Sequence, residues 1–296
     1  MPSTLTDFAD RVAVVTGGAS GIGKGICEEL LKDGARVVIA DVEQSAIDAT
    51  VDELSPRGEV SGVRTDVSKH ESVAALADSV YERYGVCHLL FNNAGVGTPG
   101  ANVWDTTPND WRWSLGVNVL GVVFGIQSFV PRMLAGGEPG HIVNTSSGNG
   151  AVTMLPDASI YAAGKSAVAV LTECLAAQLE DQGTNLRASL FLPGGRGLLA
   201  TGLYTSERNR PAELEREKPR PTAARTIEDI VAAGKAAGHE IPLQDLNELG
   251  RDVLDQLVTG VYCIQMGGNA ANAERLHERA DRFGQGLNPT VYVPLG

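Results

Sequence analysis

Tyr161 and Lys165 stand four residues apart in a stretch of helical spacing, so their side chains share one face of that helix. A phenol titrates near about 10 in isolation, and a neighbouring ammonium stabilises its phenolate. Lowering the phenol by roughly two to three units corresponds to roughly 3–4 kcal/mol, and it brings Tyr161 into range for acid–base work near neutral pH. Ser146 and Ser147 follow the apolar run 142–144. A hydroxyl there can donate to a substrate oxygen as negative charge develops on it.

A second constellation suits a nucleotide. The run 12–15 leads directly into Thr16-Gly17-Gly18-Ala19-Ser20-Gly21-Ile22-Gly23 and then into helical spacing. Glycines here serve a tight turn, close approach to a pyrophosphate and helix–strand packing, and the helix N-terminus offers free N–H groups to the anion. Asp41 closes the next apolar run some twenty residues on, where a carboxylate accepts both ribose hydroxyls and repels a 2′-phosphate. Val42, Glu43 and Gln44 follow it without an Arg or Lys, which favours NAD over NADP. Asn92-Asn93-Ala94-Gly95 ends another apolar run, with small and amide residues that let a cofactor pass closely.

The elements that must position these residues alternate two rhythms. Runs at 12–15, 37–40, 62–65, 89–91, 142–144 and 187–192 read as strands, and 258–266 as a last one. Helical spacing occupies 23–33, 44–54, 73–84, 111–134 and 159–182. Apolar strands without alternation require a sheet covered on both faces, so the expectation is an α/β, doubly wound, Rossmann-type parallel sheet. The whole chain, 1–296, reads as one domain, with a substrate loop or lid region at 194–257 and a C-terminal extension at 267–296 that carries a charged helix, 271–283, and an apolar tail. The charged stretch 205–221 is expected to be a mobile lid that orders on binding.

In order and spacing, Thr16 to Gly23, Asp66-Val67, Asn92 to Gly95, Asn118, the serine pair and Tyr161 with Lys165 resemble the short-chain dehydrogenases/reductases of classical type, over about residues 8–193. The resemblance implies Tyr161 as general acid/base, Lys165 lowering its pKa and holding the ribose, Ser147 orienting the carbonyl or carbinol, and Asn118 keeping a water in a proton relay. It implies cofactor contacts at Gly17, Ser20, Gly21, Ile22, Gly23, Asp41, Asp66, Val67, Asn93, Ala94, Gly95, Tyr161, Lys165, Pro193 and Gly194, with the adenine at Asp66 and Val67. Ser147 lies fourteen residues before Tyr161 where the family more often has thirteen, so Ser146 is the alternative. After Pro193-Gly194, six residues precede Thr201, the family's usual carboxamide partner; backbone groups near Leu198 would substitute for it.

The segments around Phe129 to Met133 and Pro139 to Val143, with the extended C-terminus, look similar to Cα-dehydrogenases of lignin-derived aryl ethers, which oxidise benzylic secondary alcohols. Gly97, Thr98, Asn149, Val152, Leu155, Leu192, Leu203 and Tyr204 are the pocket residues expected, mostly apolar, with Arg196 the one charge to watch. The reading is an NAD-dependent secondary-alcohol dehydrogenase working as a ketone reductase in reverse. An NADP-dependent carbonyl or ketoacyl reductase and a nucleotide-sensing regulator are the alternatives.

Composition narrows the partners. At 43% hydrophobic and 20% charged, 296 residues sustain a core without staples, and Cys27, Cys87, Cys174 and Cys263 form no CxxC pair. The formal net charge of −12 would repel a nucleic-acid backbone. There is no run of 18 apolar residues and no apolar leader at 1–11, so the expectation is a cytoplasmic chain off the membrane. The five histidines form no spaced cluster, and no metal site is expected. By the resemblance, helices 111–134 and 159–182 pair across subunits of a homodimer or homotetramer.

Overall fold

Each apolar strand sends alternate side chains into two separate cores. Ala13, Val15, Val37, Ile39, Leu89, Phe91 and Val143 face one, and Val12, Val14, Val38, Ala40, Leu90 and Ile142 face the other. Burial on both faces is what the unbroken Val/Ile/Leu runs required. A computed structural model describes residues 5–290 apart from 99, 196, 220–225 and 267–269.

The strands are β1 (Val12–Thr16), β2 (Arg36–Asp41), β3 (Val60–Arg64), β4 (Leu89–Asn92), β5 (Gly140–Thr145), β6 (Leu186–Leu192) and β7 (Cys263–Gln265). They form one parallel sheet in the order β3-β2-β1-β4-β5-β6-β7. Chain direction across the sheet reverses at β1 and β4, and a crevice opens beyond the carboxyl ends there. Helices α1 (Gly21–Lys32), α2 (Gln44–Leu54) and α9 (Leu246–Leu257) cover the first core. Helices α3 (His70–Tyr84), α5 (Gly121–Gly136) and α7 (Ser159–Asp181) cover the second.

Three expectations change. The segment 111–134 is helical as expected, within a continuous stretch 108–136, but it is not α-helical throughout. It divides into α4 (Pro108–Leu115), a π-helical turn at Gly116–Leu120, and α5. The last strand keeps only Cys263–Gln265, because Val258 caps α9 and Gly260 turns the chain at φ +74°. Nor is 194–257 loop throughout. Alongside α8 (Ile227–Ala236), it includes α9, whose Leu249, Val253, Leu254 and Leu257 are fully buried because they recur at helical spacing toward the sheet.

The stretch expected to be a mobile lid has defined structure, a 3-10 segment at Gly202–Asn209 and another at Ala212–Leu214. Arg210 Nη1 donates to Asp110 Oδ1 at 2.9 Å, and Arg216 stands 3.2 Å from the other carboxylate oxygen. Asp110 is 1% exposed, so the segment is fastened to α4 by a buried ion pair rather than left in solvent. Short α6 (Gly148–Ala151) and the terminal α10 (Ala270–Gly284) complete the set. Residues 267–269 and the end of the apolar tail, 291–296, lie outside the described residues. Segments 108–136 and 159–181 are long and apolar enough by composition to cross a membrane, yet α5 and α7 within them pack on the sheet.

Candidate active site

The loop after β1 is shaped by its glycines. Gly17 and Gly21 hold φ +64° and +55°, conformations that side-chain-bearing residues rarely adopt. A Cβ at Gly23 would lie 2.2 Å from the Gly17 carbonyl oxygen and 2.7 Å from Asn93 Nδ2, so the start of α1 presses directly on the turn. Ser20 takes the N-cap position of α1 with extended backbone, its hydroxyl capping nothing, and Ile22 packs against the core behind. Orphan N–H groups at this helix end face the crevice, as a pyrophosphate needs.

Asp41 closes β2 beside this loop. Its carboxylate accepts the N–H of Ala19 at 3.3 Å and of Glu43 at 3.2 Å, while burial pushes it above the usual carboxylate range. Across the crevice, Thr16 ties β1 to the end of β4: its Oγ1 donates to Phe91 O and accepts from the N–H groups of Asn93 (2.9 Å) and Ala94 (3.1 Å). Asn93 Nδ2 donates back to Thr16 O. Sequence reasoning placed Thr16 at the start of the glycine loop but not its tie to Asn93, since only the fold brings positions 16 and 93 together. Asp66 is turned inward on its own loop, accepting from Ser68 N and Oγ and lying 3.6 Å from Lys69, and Val67 packs on Gly121.

The structure separates the two serines. Ser146 is fully buried and donates to Lys165 O at 2.6 Å. Ser147 caps α6, accepting from Asn149 N at 3.1 Å, and its hydroxyl lies near enough to Tyr161 to act on the phenol. Lys165 is 3% exposed, donates to Thr145 O at 2.8 Å and lies 5.7 Å from the centroid of the Tyr161 ring. Burial lowers Lys165 to about 8. The phenol moves opposite to expectation: burial raises it, with the Tyr204 phenol adding, and the Ser147 hydroxyl only partly offsets this. The reason is placement, for the Lys165 ammonium is turned toward the Thr145 carbonyl.

Asn118 sits in the π-helical turn, fully buried. Its Oδ1 accepts from Val96 N at 2.8 Å, and its Nδ2 donates to Val96 O and Ser114 Oγ. The amide thus holds the chain beyond β4. A Cβ at Gly95 would stand 3.2 Å from Asn118 Oδ1 and 3.7 Å from Lys165 Nζ, which brings the end of β4 against the Tyr–Lys helix.

Pro193 and Gly194 leave β6 at the same edge, Gly194 with φ +107°. The Leu198 N–H donates to Pro242 O and its carbonyl accepts from Gln244 N, which leaves that carbonyl one further lone pair. Thr201 itself returns to the phosphate loop, 3.2 Å from where a Gly21 Cβ would be. Of the expected pocket residues, Gly97 touches Leu203 and donates its N–H to Ser206 Oγ, and Tyr204 comes near enough to Tyr161 to affect its charge. Thr98 is half-buried next to Gly97. Val152 and Leu192 belong instead to a small core cluster with Val122, Val168 and Leu190. Asn149 Oδ1 is taken by Leu155 N, and the Leu155 side chain is 52% exposed. Arg196 lies outside the described residues. Among those residues no group of three or more His, Cys, Asp and Glu could hold a metal ion.

The sequence profile described as short chain dehydrogenase matches residues 11–208. Over 211 residues the chain is 38% identical to a C alpha-dehydrogenase of Sphingobium sp., covering 71% of this chain and 67% of that protein. A short chain dehydrogenase/reductase from Burkholderia phymatum, solved in complex with NAD, has a TM-score of 0.86 at 36% identity, covering 98% of this chain and 99% of that one. A metagenomic short-chain oxidoreductase in complex with NADP has a TM-score of 0.60 at 33% identity, covering 65% of this chain and 86% of that one.

Proposed function

We propose that this chain, which belongs to the short chain dehydrogenase family and is therefore an oxidoreductase, is an NAD-dependent enzyme interconverting a secondary alcohol and a ketone. The observation that carries the reading is the convergence of Ser147 and Tyr161 over buried Lys165 at the edge of the sheet where Gly95 leaves room. A nucleotide-sensing regulator would need none of that trio. The glycine loop, the free hydroxyl of Ser20 and the backbone-held Asp41 fit a dinucleotide, and the Asp41 carboxylate disfavours a 2′-phosphate. The bound nicotinamide would supply or take the hydride.

The chain's own residues would manage the proton. In the oxidising direction the substrate hydroxyl gives its proton to the Tyr161 phenolate oxygen, while Ser147 orients that hydroxyl. In reduction Tyr161 donates to the carbonyl oxygen, and Ser147 donates a second hydrogen bond to it as charge develops. The raised phenol suits it to hold its proton until an acceptor forms. Lys165 holds positive charge beneath the ring and favours the phenolate when the proton leaves. Asn118 fixes the β4 exit and would keep a water in the proton relay.

The substrate we favour is apolar, a benzylic secondary alcohol in particular. Gly97, Leu203 and Tyr204 offer it no charge, and the C alpha-dehydrogenase relative supports the class. The enzyme is proposed to work in the cytoplasm as a homodimer or homotetramer, joined through outward apolar residues such as Leu134 of α5 and Val170 of α7. The test is formation of reduced nicotinamide from 1-arylpropanols and aliphatic secondary alcohols, with NAD and NADP in parallel. Turnover with NAD that is lost in Tyr161→Phe supports the proposal; turnover of a small keto acid with none of an aryl ketone overturns the substrate class.

A further inference from the structure

The Asp41 carboxylate has charged company that the local sequence does not reveal. Arg64 lies opposite Asp41 in the β2–β3 register, and its Nε donates to Val42 O at 3.3 Å. Arg208, 165 residues away in sequence from Glu43, reaches the same place from the 3-10 segment Gly202–Asn209. Its Nη2 donates to Glu43 Oε1 at 2.5 Å, and Asn209 Nδ2 donates to the same oxygen at 2.7 Å. Arg208 Nη1 is held by Gly202 O, Thr205 O and Thr205 Oγ1, so the guanidinium is fixed in position. Glu43 is in turn tied to Asp41, for its own N–H is one of the two that the Asp41 carboxylate accepts.

An arginine beside the acid at the end of the second strand is the usual means of accommodating a 2′-phosphate. Arg208 standing alone would therefore favour the phosphorylated coenzyme, against Asp41. Resting on the reading that Asp41 takes the adenosine ribose, we propose that Glu43 determines coenzyme choice by occupying Arg208, so that Asp41 decides unopposed. The four side chains Asp41, Glu43, Arg64 and Arg208 sum to no net charge, and an incoming phosphate must first displace Glu43 from its arginine. Both partners of the pair are partly exposed, 42% for Arg208 and 30% for Glu43, which keeps the effect moderate.

The experiment is equilibrium titration of the purified chain with NADH and with NADPH, followed by protein fluorescence, for the wild type, Glu43→Gln, Arg208→Gln and the double variant. Glu43 caps α2 without a side-chain bond to it, so Glu43→Gln leaves the helix intact, and thermal melting checks this. The expected result is a wild type that binds NADH more tightly. Glu43→Gln then raises the NADPH-to-NADH affinity ratio about tenfold. Arg208→Gln alone moves the ratio the other way, and the double variant loses the gain. An unchanged ratio in Glu43→Gln, or a gain that survives removal of Arg208, overturns the inference and leaves the NAD reading standing. A wild type that favours NADPH, or binds neither coenzyme, overturns that reading and the inference with it.

Discussion

At the residue scale, two neighbouring serines have opposite fates because the chain turns between them. Ser146 points into the core and ties the end of β5 to α7 through Lys165 O, while Ser147 points out to Tyr161. Ser147→Ala should lower kcat by about 10²-fold with little change in melting temperature, and Ser146→Ala should cost about 1–2 kcal/mol of stability. Paired turnover and thermal melts separate the two; the reverse pattern would assign catalysis to Ser146. Lys165 gives a pH prediction with a definite sign. Burial holds it at about 8, below its ordinary value of 10.5. The unfolded chain keeps this proton to higher pH, so between those values it binds more protons than the folded chain and stability rises with pH. Below about 8 the penalty for the buried charge is present in full. Lys165→Met removes that penalty, so its melting temperature should gain most over the wild type near about pH 7 and least near about pH 10. A gap constant with pH would contradict this. The Tyr161–Lys165 pair was legible in the sequence because helical spacing is local. Thr16 on Asn93, Ser206 on Gly97 and Arg208 on Glu43 were not, since each joins positions that only the folded sheet edge brings together.

At the element scale, α1 must present the glycine loop at a fixed angle, and α9 holds it from behind. The two helices cross at glycines: a Cβ at Gly25 would lie 2.2 Å from Leu246 O, and one at Gly250 would lie 2.5 Å from Gly25 O. Backbone cannot yield there as a flexible side chain would. Gly250→Ala should therefore destabilise by about 1–3 kcal/mol and loosen coenzyme binding with it, read by denaturant unfolding and coenzyme titration on the same preparation. A variant as stable as the wild type would show that the crossing adjusts. Strands buried on both faces were plain in the sequence because their apolar runs do not alternate, and α2 was readable to its bounds at Gln44 and Leu54. The change of helix type within 111–134 was hidden, since a π-helical turn keeps the same apolar composition as the α-helical turns beside it. The start of α4 had a readable signal, Thr107 followed three residues later by Asp110 with Pro108 between, and both capping hydrogen bonds are made. Thr226 and Asp229 give the same signal for α8. In α9 the spacing of Leu249, Val253, Leu254 and Leu257 was equally present, but Arg251, Asp252 and Asp255 between them made the stretch look like more of the charged loop.

At the scale of the whole molecule, charge and site chemistry point to the same kind of substrate. The chain carries a formal net charge of −12, and beside Tyr161 the residues Gly97, Leu203 and Tyr204 add no cation to attract an acid, while the Lys165 ammonium is buried beneath the ring and donates to Thr145 O. An anionic substrate must then approach against the field of the whole protein, whereas a neutral aryl alcohol feels none of it. The consequence is a difference in salt dependence, measured with coenzyme saturating so that its own charge drops out. Raising the salt from about 0.01 M to about 0.15 M shortens the screening length from about 30 Å to about 8 Å. For a benzylic alcohol carrying a carboxylate on the ring, kcat/KM should rise several-fold over that range, while its neutral counterpart should stay within about twofold. A rate for the carboxylated substrate that falls with salt would mean that a cation in the site receives it. Arg196, the charge that the sequence places directly after Gly195, would then be the first residue to replace.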